Sequence, residues 1–306
     1  MIHYLQHNHI NKEKWDKCID TSINRVAYVY SWYLDAVCKN WCALVLDDYE
    51  AVFPMALNSR FTMYYLYQPF FTRYFGIFSK TKITETLVNV FFDAISNEIK
   101  FIEINIHETN KFERKDFQKK ERYFQFLNID KPYDKIYQDY KGDAKRNLKK
   151  AEKNKLKIIE NLAPQKVVEL FKHNKGNQLK DLHSKDYFSL QSIMNAANTN
   201  NYGISLGVTN TNNDLIAAGF FILIKNTILF LKGSANDEGK SQGAMYLMID
   251  SLLKNYAQKI HYFDFGGSSI ESIASFNNNF GAENCVYLQV KKNNLPNIIK
   301  QISGKK

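Results

Sequence analysis

The sequence predicts an α/β fold, α+β in the sense that its sheets are mixed, made of two tandem copies of one unit. Two observations predict it. The order strand, strand, strand, loop, helix, strand can be read twice, and a basic helical stretch separates the two readings. Equivalent elements lie about 165 residues apart, too far for a solenoid repeat and right for a duplicated domain. The copies are expected as an N-terminal domain, 1–140, and a C-terminal domain, 141–306, that opens with the basic helix.

In the first copy, the apolar runs Ala43–Leu46 and Ala51–Leu57 flank the turn-favouring pair Asp47-Asp48 and read as a hairpin. The aromatic-rich segment Phe61 to Tyr67 continues as a strand and is ended by Gln68-Pro69. A loop with Arg73 and Gly76 leads to a helix from Lys82 to Asn97, with Leu87, Val90, Phe91 and Ile95 on one face, and then to a strand over Phe101–Ile106. Ahead of this, residues 1–25 read as polar and irregular, and a helix over Ser31–Lys39 has Ser31 as its cap. His3, His7 and His9 have no carboxylate or thiol spaced to complete a metal site and read as solvated.

The second copy repeats the pattern. Tyr202–Val208 and Leu215–Ile224 form a hairpin, Thr227–Lys232 a third strand, and Gly233–Ser241 a loop. A helix over Gln242–Gln258 and a last strand, His261–Phe265, complete it. Between the copies, Lys141 to Lys155 reads as helical from Ala144 with Asp143 as cap. Arg146, Lys149, Lys150 and Lys153 then share a face, so positive charge falls on one stripe. A polar helical region follows over Gln165–Asn198.

Composition narrows the partners. Lys and Arg outnumber Asp and Glu by 41 to 31, which biases the surface toward anions such as phosphorylated donors or nucleic acid. The four cysteines lack zinc-type spacing and read as reduced thiols, and no metal is expected. The start carries no secretory pattern and the longest apolar run, Leu215 to Leu231, is broken by Lys225-Asn226. No membrane span and a cytoplasmic location are therefore expected.

The candidate site lies at Tyr262 to Ser269, followed by Phe276 to Gly281. The first stretch reads as a buried strand ending in a glycine turn, so that Asp264 sits beside an apolar wall where the backbone opens into a polar loop. Such a carboxylate is suited to take a proton from, or to orient, an ammonium nucleophile; an aspartate bonded to turn amides is the alternative.

Four segments carry a resemblance to a family: Lys145–Glu152, Gly243-Ala244, Phe263–Ser268 and Phe276–Gly281. Together with the order of elements over nearly the whole chain, they resemble the Fem-type, or double GNAT, acyltransferases. The resemblance implies two GNAT-like domains and transfer of an acyl or aminoacyl group to an amine. It implies a sheet that splays after the central strand, at Lys232-Gly233-Ser234-Ala235, where Gly233 permits close approach and Ser234 offers a hydroxyl. Lys240, Gly243 and Ala244, at the following helix start, would receive a donor pyrophosphate. Arg146, Lys150, Tyr67, Gln68, Arg73, Gly266, Phe276 and Phe280 are the candidate substrate contacts.

One position departs from the family pattern Phe-Lys-x-x-Phe-Gly: Asn277 stands where the lysine would be. An asparagine can donate a hydrogen bond to an oxyanion but brings no charge. The resemblance implies an acyl-CoA or another acyl thioester as donor, with aminoacyl-tRNA disfavoured by Asn277, and an amine-bearing small molecule or a peptidoglycan-precursor-like acceptor. Two other readings stay open: a Fem-like tRNA-dependent aminoacyl ligase for a cell-wall precursor, and a catalytically silent double GNAT protein that binds an anionic ligand or RNA.

Overall fold

The computed structural model describes residues 1–60, 63–174, 176, 179, 182–267 and 270–296. Phe61, the expected start of a strand, and Ser268 and Ser269 of the candidate site lie outside the described residues. Along the chain the first elements are β1 (Ile2–Leu5), α1 (Lys12–Thr21), α2 (Ser31–Val37), β2 (Cys42–Leu46), β3 (Ala51–Met55), β4 (Leu57–Arg60), β5 (Met63–Tyr67), β6 (Phe78–Ser79), α3 (Glu85–Asp93) and β7 (Ile99–Ile106). Then come β8 (Gln118–Asn128), α4 (Tyr133–Gln138), α5 (Gly142–Lys153), β9 (Lys157–Glu160), α6 (Pro164–Asn174) and α7 (Ser184–Thr199). The last are β10 (Gly203–Thr209), β11 (Leu215–Ile224), β12 (Thr227–Ala235), α8 (Asp237–Gln242), α9 (Ala244–Tyr256), β13 (Tyr262–Gly267), α10 (Glu271–Asn278) and β14 (Glu283–Asn293).

The chain divides into two compact units, Met1–Arg122 with the segment from Val286 onward, and Tyr123–Cys285. These limits differ from a break between Tyr140 and Lys141 because two strands pair far from their sequence neighbours. β8 runs antiparallel to β13 and joins the second unit, while β14 runs antiparallel to β7 and joins the first.

The first unit holds a sheet in the order β1-β2-β3-β6 and the strand run β4-β5-β7-β14. Trp15, Trp41, Tyr33, Phe53, Phe75, Phe78 and Phe91 are fully buried in it. The opening residues are ordered structure and not an irregular tail: α1 is capped by Asn11, whose side chain accepts the Lys14 amide, and it buries Trp15, Cys18 and Ile19. That is an i, i+3, i+4 triplet between lysines. Ser31 is the first residue of α2 and not its cap. Its amide and hydroxyl instead donate to the two oxygens of Asp16, at 2.7 and 2.6 Å. α3 buries Val88, Phe91 and Phe92, a face rotated from the expected one, and leaves Val90 45% exposed; Ile95, also buried, lies beyond its end. His7 faces Asp35 at 2.9 Å, and no grouping of metal-ligating side chains occurs among the described residues.

The second unit is one six-stranded sheet in the order β8-β13-β12-β11-β10-β9, with β12 and β13 parallel and the other neighbours antiparallel. α9 covers one face and packs Met248, Ile249, Leu252 and Leu253 into a core with Phe221, Phe263, Phe265 and Phe280. α6 and α7 cover the other. A Cβ on Gly219 would meet Met248 Sδ of α9 at 2.6 Å, whereas one on Gly203, whose side faces opposite by strand alternation, would meet Asn198 of α7 at 1.9 Å. No described helix is long and apolar enough to cross a membrane.

His107 couples the first unit's stability to pH. Its Nδ1 accepts the Thr109 amide at 3.1 Å, which puts the proton on Nε2, and burial followed by the charge of Arg73 pushes its pKa down to about 3. Glu108 lies 3.4 Å from the same nitrogen but meets a neutral ring. The unfolded chain takes up this proton below about pH 6.5 and the folded chain does not until about pH 3, so stability is complete above the first value and falls as pH drops through the window. His107→Asn, which keeps an acceptor for Thr109, should lose roughly 2 kcal/mol less than the parent between pH 7 and pH 5. Urea melts at the two pH values measure this, and equal losses would contradict it.

Candidate functional site

The site grows out of an interruption in the second unit's sheet. β12 and β13 pair over only three positions, Thr227 to Leu229 against Tyr262 to Asp264. Beyond them both strands are bulged. On β12 the partner of Phe221 is Phe230 and that of Phe220 is Lys232, leaving Leu231 extra. On β13 the pairing to β8 skips Phe265. A bulge bends its strand and increases local twist, so the two strands part. β12 nevertheless runs on to Ala235 against β11, and no described strand pairs with its other edge from Phe230 onward. A row of backbone donors and acceptors therefore has no described strand beside it, with Asp264 where the pairing ends and Gly266 next to it. Gly266 has φ +82, and a Cβ there would lie 3.4 Å from the Phe230 carbonyl.

The first unit has the equivalent opening and fills it. β5 pairs with β7 as far as Tyr67 and Glu103. The next amide of β7 to face that side, Asn105 N–H, donates to Gln68 Oε1 at 3.0 Å, and Gln68 Nε2 donates to the Thr72 carbonyl. Phe75 then adds its own backbone, accepting from His107 at 3.0 Å and donating to the Asn105 carbonyl at 2.8 Å. The three candidate contacts from this unit are thus engaged elsewhere. Gln68 plugs the edge, Arg73 is 7% exposed with its guanidinium over the rings of Tyr28 and Tyr74, and the Tyr67 hydroxyl reaches Cys38 Sγ at 3.8 Å.

Within the second unit the candidates separate. Asp264 and Ser234 are each 9% exposed and flank the split, and Gly233 lies between Ser234 and Lys232 on the free edge, where a Cβ would strike the Phe230 ring at 2.6 Å. Asp264 Oδ1 accepts the Gly266 amide at 2.8 Å, the turn-bonding arrangement, which fixes the carboxylate's direction.

Asn277 is not at the edge. It lies in α10, where a polar loop was expected, is 1% exposed, and donates through Nδ2 to Gln125 Oε1 at 2.9 Å. Gln125, fully buried, donates in turn to Asn278 Oδ1 at 2.6 Å. Phe276 and Phe280 are packing residues. Their rings lie 5.4 Å apart, Tyr246 stacks on Phe280 at 5.5 Å, and Phe280 also meets Phe265 and Tyr140.

The expected phosphate seat is built differently from the reading. In place of one helix from Gln242 there are two, α8 and α9, joined by Gly243 at φ +81, and Ala244 is fully buried. A Cβ on Gly243 would lie 2.5 Å from the backbone carbonyl of Asn147 in α5, so α5 packs closely against the turn that opens α9. Lys240 bonds Asp237 at 2.8 Å on the surface.

α5 itself begins at Gly142. Asp143 is in its first turn, paired with Arg146, and is not the cap; the helix is anchored by Lys141 N–H donating to the Asn279 carbonyl at 2.9 Å. Ala144 and Ala151 face inward, leaving Arg146, Lys149, Lys150 and Lys153 exposed. One carboxylate escaped the sequence reading: Asp250 of α9, half-buried, accepts the hydroxyls of Tyr133 and Tyr140 at 2.7 and 2.9 Å and has its pKa raised by burial. No local pattern marks it, because its partners come from α4 and the turn that follows it, more than 100 residues earlier.

A mixed sheet that opens beside its central parallel pair, helices on both faces, and a second such unit with the opening sealed define a tandem GNAT fold. Comparison with solved structures agrees. FemX is similar over 97% of this chain and 99% of its own, with TM-score 0.68 and 12% identity. The C-terminal domain of a putative lysylphosphatidylglycerol synthetase from Agrobacterium fabrum is similar over 93% of this chain and 92% of its own, with TM-score 0.60 and 8% identity. A tandem GNAT protein from the clavulanic acid biosynthesis pathway matches over 95% and 98%, with TM-score 0.54 and 7% identity. No protein-family model and no curated protein sequence matches the chain. The architecture is the Fem-like tandem GNAT fold that the sequence resemblance implied.

Gly243 tests the packing of α5 on this turn. Gly243→Ala forces a side chain into the left-handed region and against a backbone carbonyl that cannot swing away, and should cost about 2–4 kcal/mol. Thermal or urea unfolding reads the loss; a change below about 0.5 kcal/mol would mean that α5 is not held against this turn.

Proposed function

We propose that the protein is an N-acyltransferase in which the free edge of β12 holds an activated acyl group for attack by an amine. The observation that carries this reading is the pairing of β12 and β13 over three positions and no further, while β12 continues to Ala235. The backbone N–H groups of that edge are preorganised donors of the kind that stabilise a tetrahedral oxyanion. The amine nitrogen adds to the acyl carbon, the bond from that carbon to the leaving oxygen or sulfur breaks, and the leaving atom takes the electron pair. Asp264, fixed by the Gly266 amide, accepts the first proton that the ammonium must lose and releases it to solvent; the second proton, which the nitrogen sheds once it is bonded to the acyl carbon, goes to the leaving atom.

The donor reading follows from what is closed and what is exposed. With α5 packed tightly on the turn at Gly243, the α9 start is a poor seat for a CoA pyrophosphate, while the stripe of Arg146, Lys149, Lys150 and Lys153 offers a track for a polyanion. An aminoacyl-tRNA is the donor class this favours over acyl-CoA. FemX and the synthetase domain share the fold, which agrees with a transferase of aminoacyl groups.

Two experiments test the reading. Purified aminoacyl-tRNA and acetyl-CoA are each incubated with the chain and a mixture of amines, and products are detected by mass spectrometry. Asp264→Asn keeps an oxygen for the Gly266 amide, so the fold stays intact while turnover drops about 100-fold or more; undiminished turnover would take Asp264 out of the mechanism. For the donor, replacing Lys149, Lys150 and Lys153 together by Gln should weaken tRNA binding and lower the slope of log K against log salt by about 2–3. Tight acetyl-CoA binding with no tRNA binding would reverse the donor assignment.

A further inference from the structure

The register of the second unit's strands puts three polar side chains of the split on one face. Asp264 is opposite Leu229, Leu229 opposite Ile222, and Phe220, two residues from Ile222, is opposite Lys232. Ser234, opposite Ala218, continues the same face. Gly219 points the other way, toward Met248 of α9, and Gly233, opposite it, shares that side against the Phe230 ring. Asp264, Lys232 and Ser234 therefore all face the side covered by α6 and α7. The extra residue Leu231 is what brings Lys232 there, because without the bulge alternation would turn position 232 along with every later residue of the strand to the opposite face.

The Lys232 ammonium is held in place. It lies 4.2 Å from the ring centroid of Phe171 in α6, a ring that is 1% exposed and packed 6.0 Å from Tyr187 of α7. Lys172 lies over the Tyr187 ring at 5.6 Å, so a second cation flanks the same aromatic pair. A cation on an aromatic face is attracted by the ring quadrupole and partly stripped of water, and such an ammonium gains from meeting an anion. Lys232 is half-buried at the free edge of β12, so the meeting place lies at the mouth of the split.

We propose that Lys232, on its Phe171 platform, and Asp264 form a pair that recognises opposite charges on one acceptor: an amine that also bears an anionic group, carboxylate or phosphate. This rests on the acyl-transfer reading for the word acceptor, but the recognition itself does not require turnover. The acceptor's ammonium goes to Asp264 and its anion to Lys232, which sets the amine at the vertex of the split and excludes simple uncharged amines. Lys232 acts as a specificity-determining residue; the bond-forming step is unchanged.

The test uses the intact chain and four probes, alanyl-alanine, its C-terminal amide, phosphoethanolamine and ethanolamine, with binding followed by ligand-observed NMR. The expected result is that at least one anionic probe binds about tenfold or more tightly than its uncharged counterpart, and the member of the pair that does so tells carboxylate from phosphate. Lys232→Met keeps the methylene stem on Phe171 and should erase the difference, while Lys232→Arg should keep most of it. Equal binding within both pairs, failure of both anionic probes to bind, or an unchanged preference in Lys232→Met would overturn the proposal. The outcomes separate from those of the function. A Lys232-dependent preference without acyl transfer to any amine removes the reaction and leaves the site. Acyl transfer that ignores the anionic group removes the site and leaves the reaction.

Discussion

The second unit depends on the bulges at Leu231 and Phe265. Parallel strands could in principle stay paired along their whole length, and an unpaired backbone row in a protein interior is costly. β12 and β13 instead give up pairing after Asp264, and each strand finds its continuing partner on its outer side, β11 for the one and β8 for the other. The cleft is stable because each strand keeps one paired edge. The hydrophobic layer behind it is continuous through the interruption, with Phe221 stacked on Phe230 at 4.8 Å and Phe263 against Phe265 at 4.7 Å. Buried aromatics of this kind contribute about 1.5–3 kcal/mol each, enough to offset a few missing strand hydrogen bonds worth roughly 1 kcal/mol apiece.

The two copies resolve one geometric problem in opposite ways. In the first, Pro69 stops β5 just after its last pair, and the chain folds back so that Gln68 and Phe75 satisfy the exposed edge of β7. The packing around this plug is aromatic, with Arg73 and His107 buried inside it. In the second, nothing after Ala235 folds back among the described residues, and α8 turns away at once. The two units therefore differ in whether the edge beside their parallel pair is filled by the chain itself.

Elements with strong periodicity were legible in the sequence. The hairpin of β10 and β11, the strand β13, α5 and the order of both copies follow from apolar alternation, turn pairs and one-sided charge. Other features were not. β8 and β14 could not be assigned to units, because strand partners are chosen by non-local pairing. α1 was hidden by lysines around a buried triplet, Trp15, Cys18 and Ile19. Phe276 to Asn279 reads as a polar loop with three consecutive asparagines, yet the fold makes it the end of a helix, since Gln125 supplies a buried amide partner from a distant strand.

What the sequence determined by itself is the composition of the parts: two α/β copies, a basic helix between them, an acidic residue at the end of the last central strand, and glycines at 243 and 266 where the backbone turns left-handed. What the tertiary structure decided is which of these parts are open. Whether a strand edge, a helix start or an asparagine amide faces a ligand or another segment depends on what packs against it, and packing partners lie far away in sequence. Gly243 met a carbonyl of α5, Asn277 met Gln125, and Gln68 met β7, while no described strand pairs with the outer edge of β12 beyond Leu229, where one extra residue, Leu231, bends it away from its neighbour.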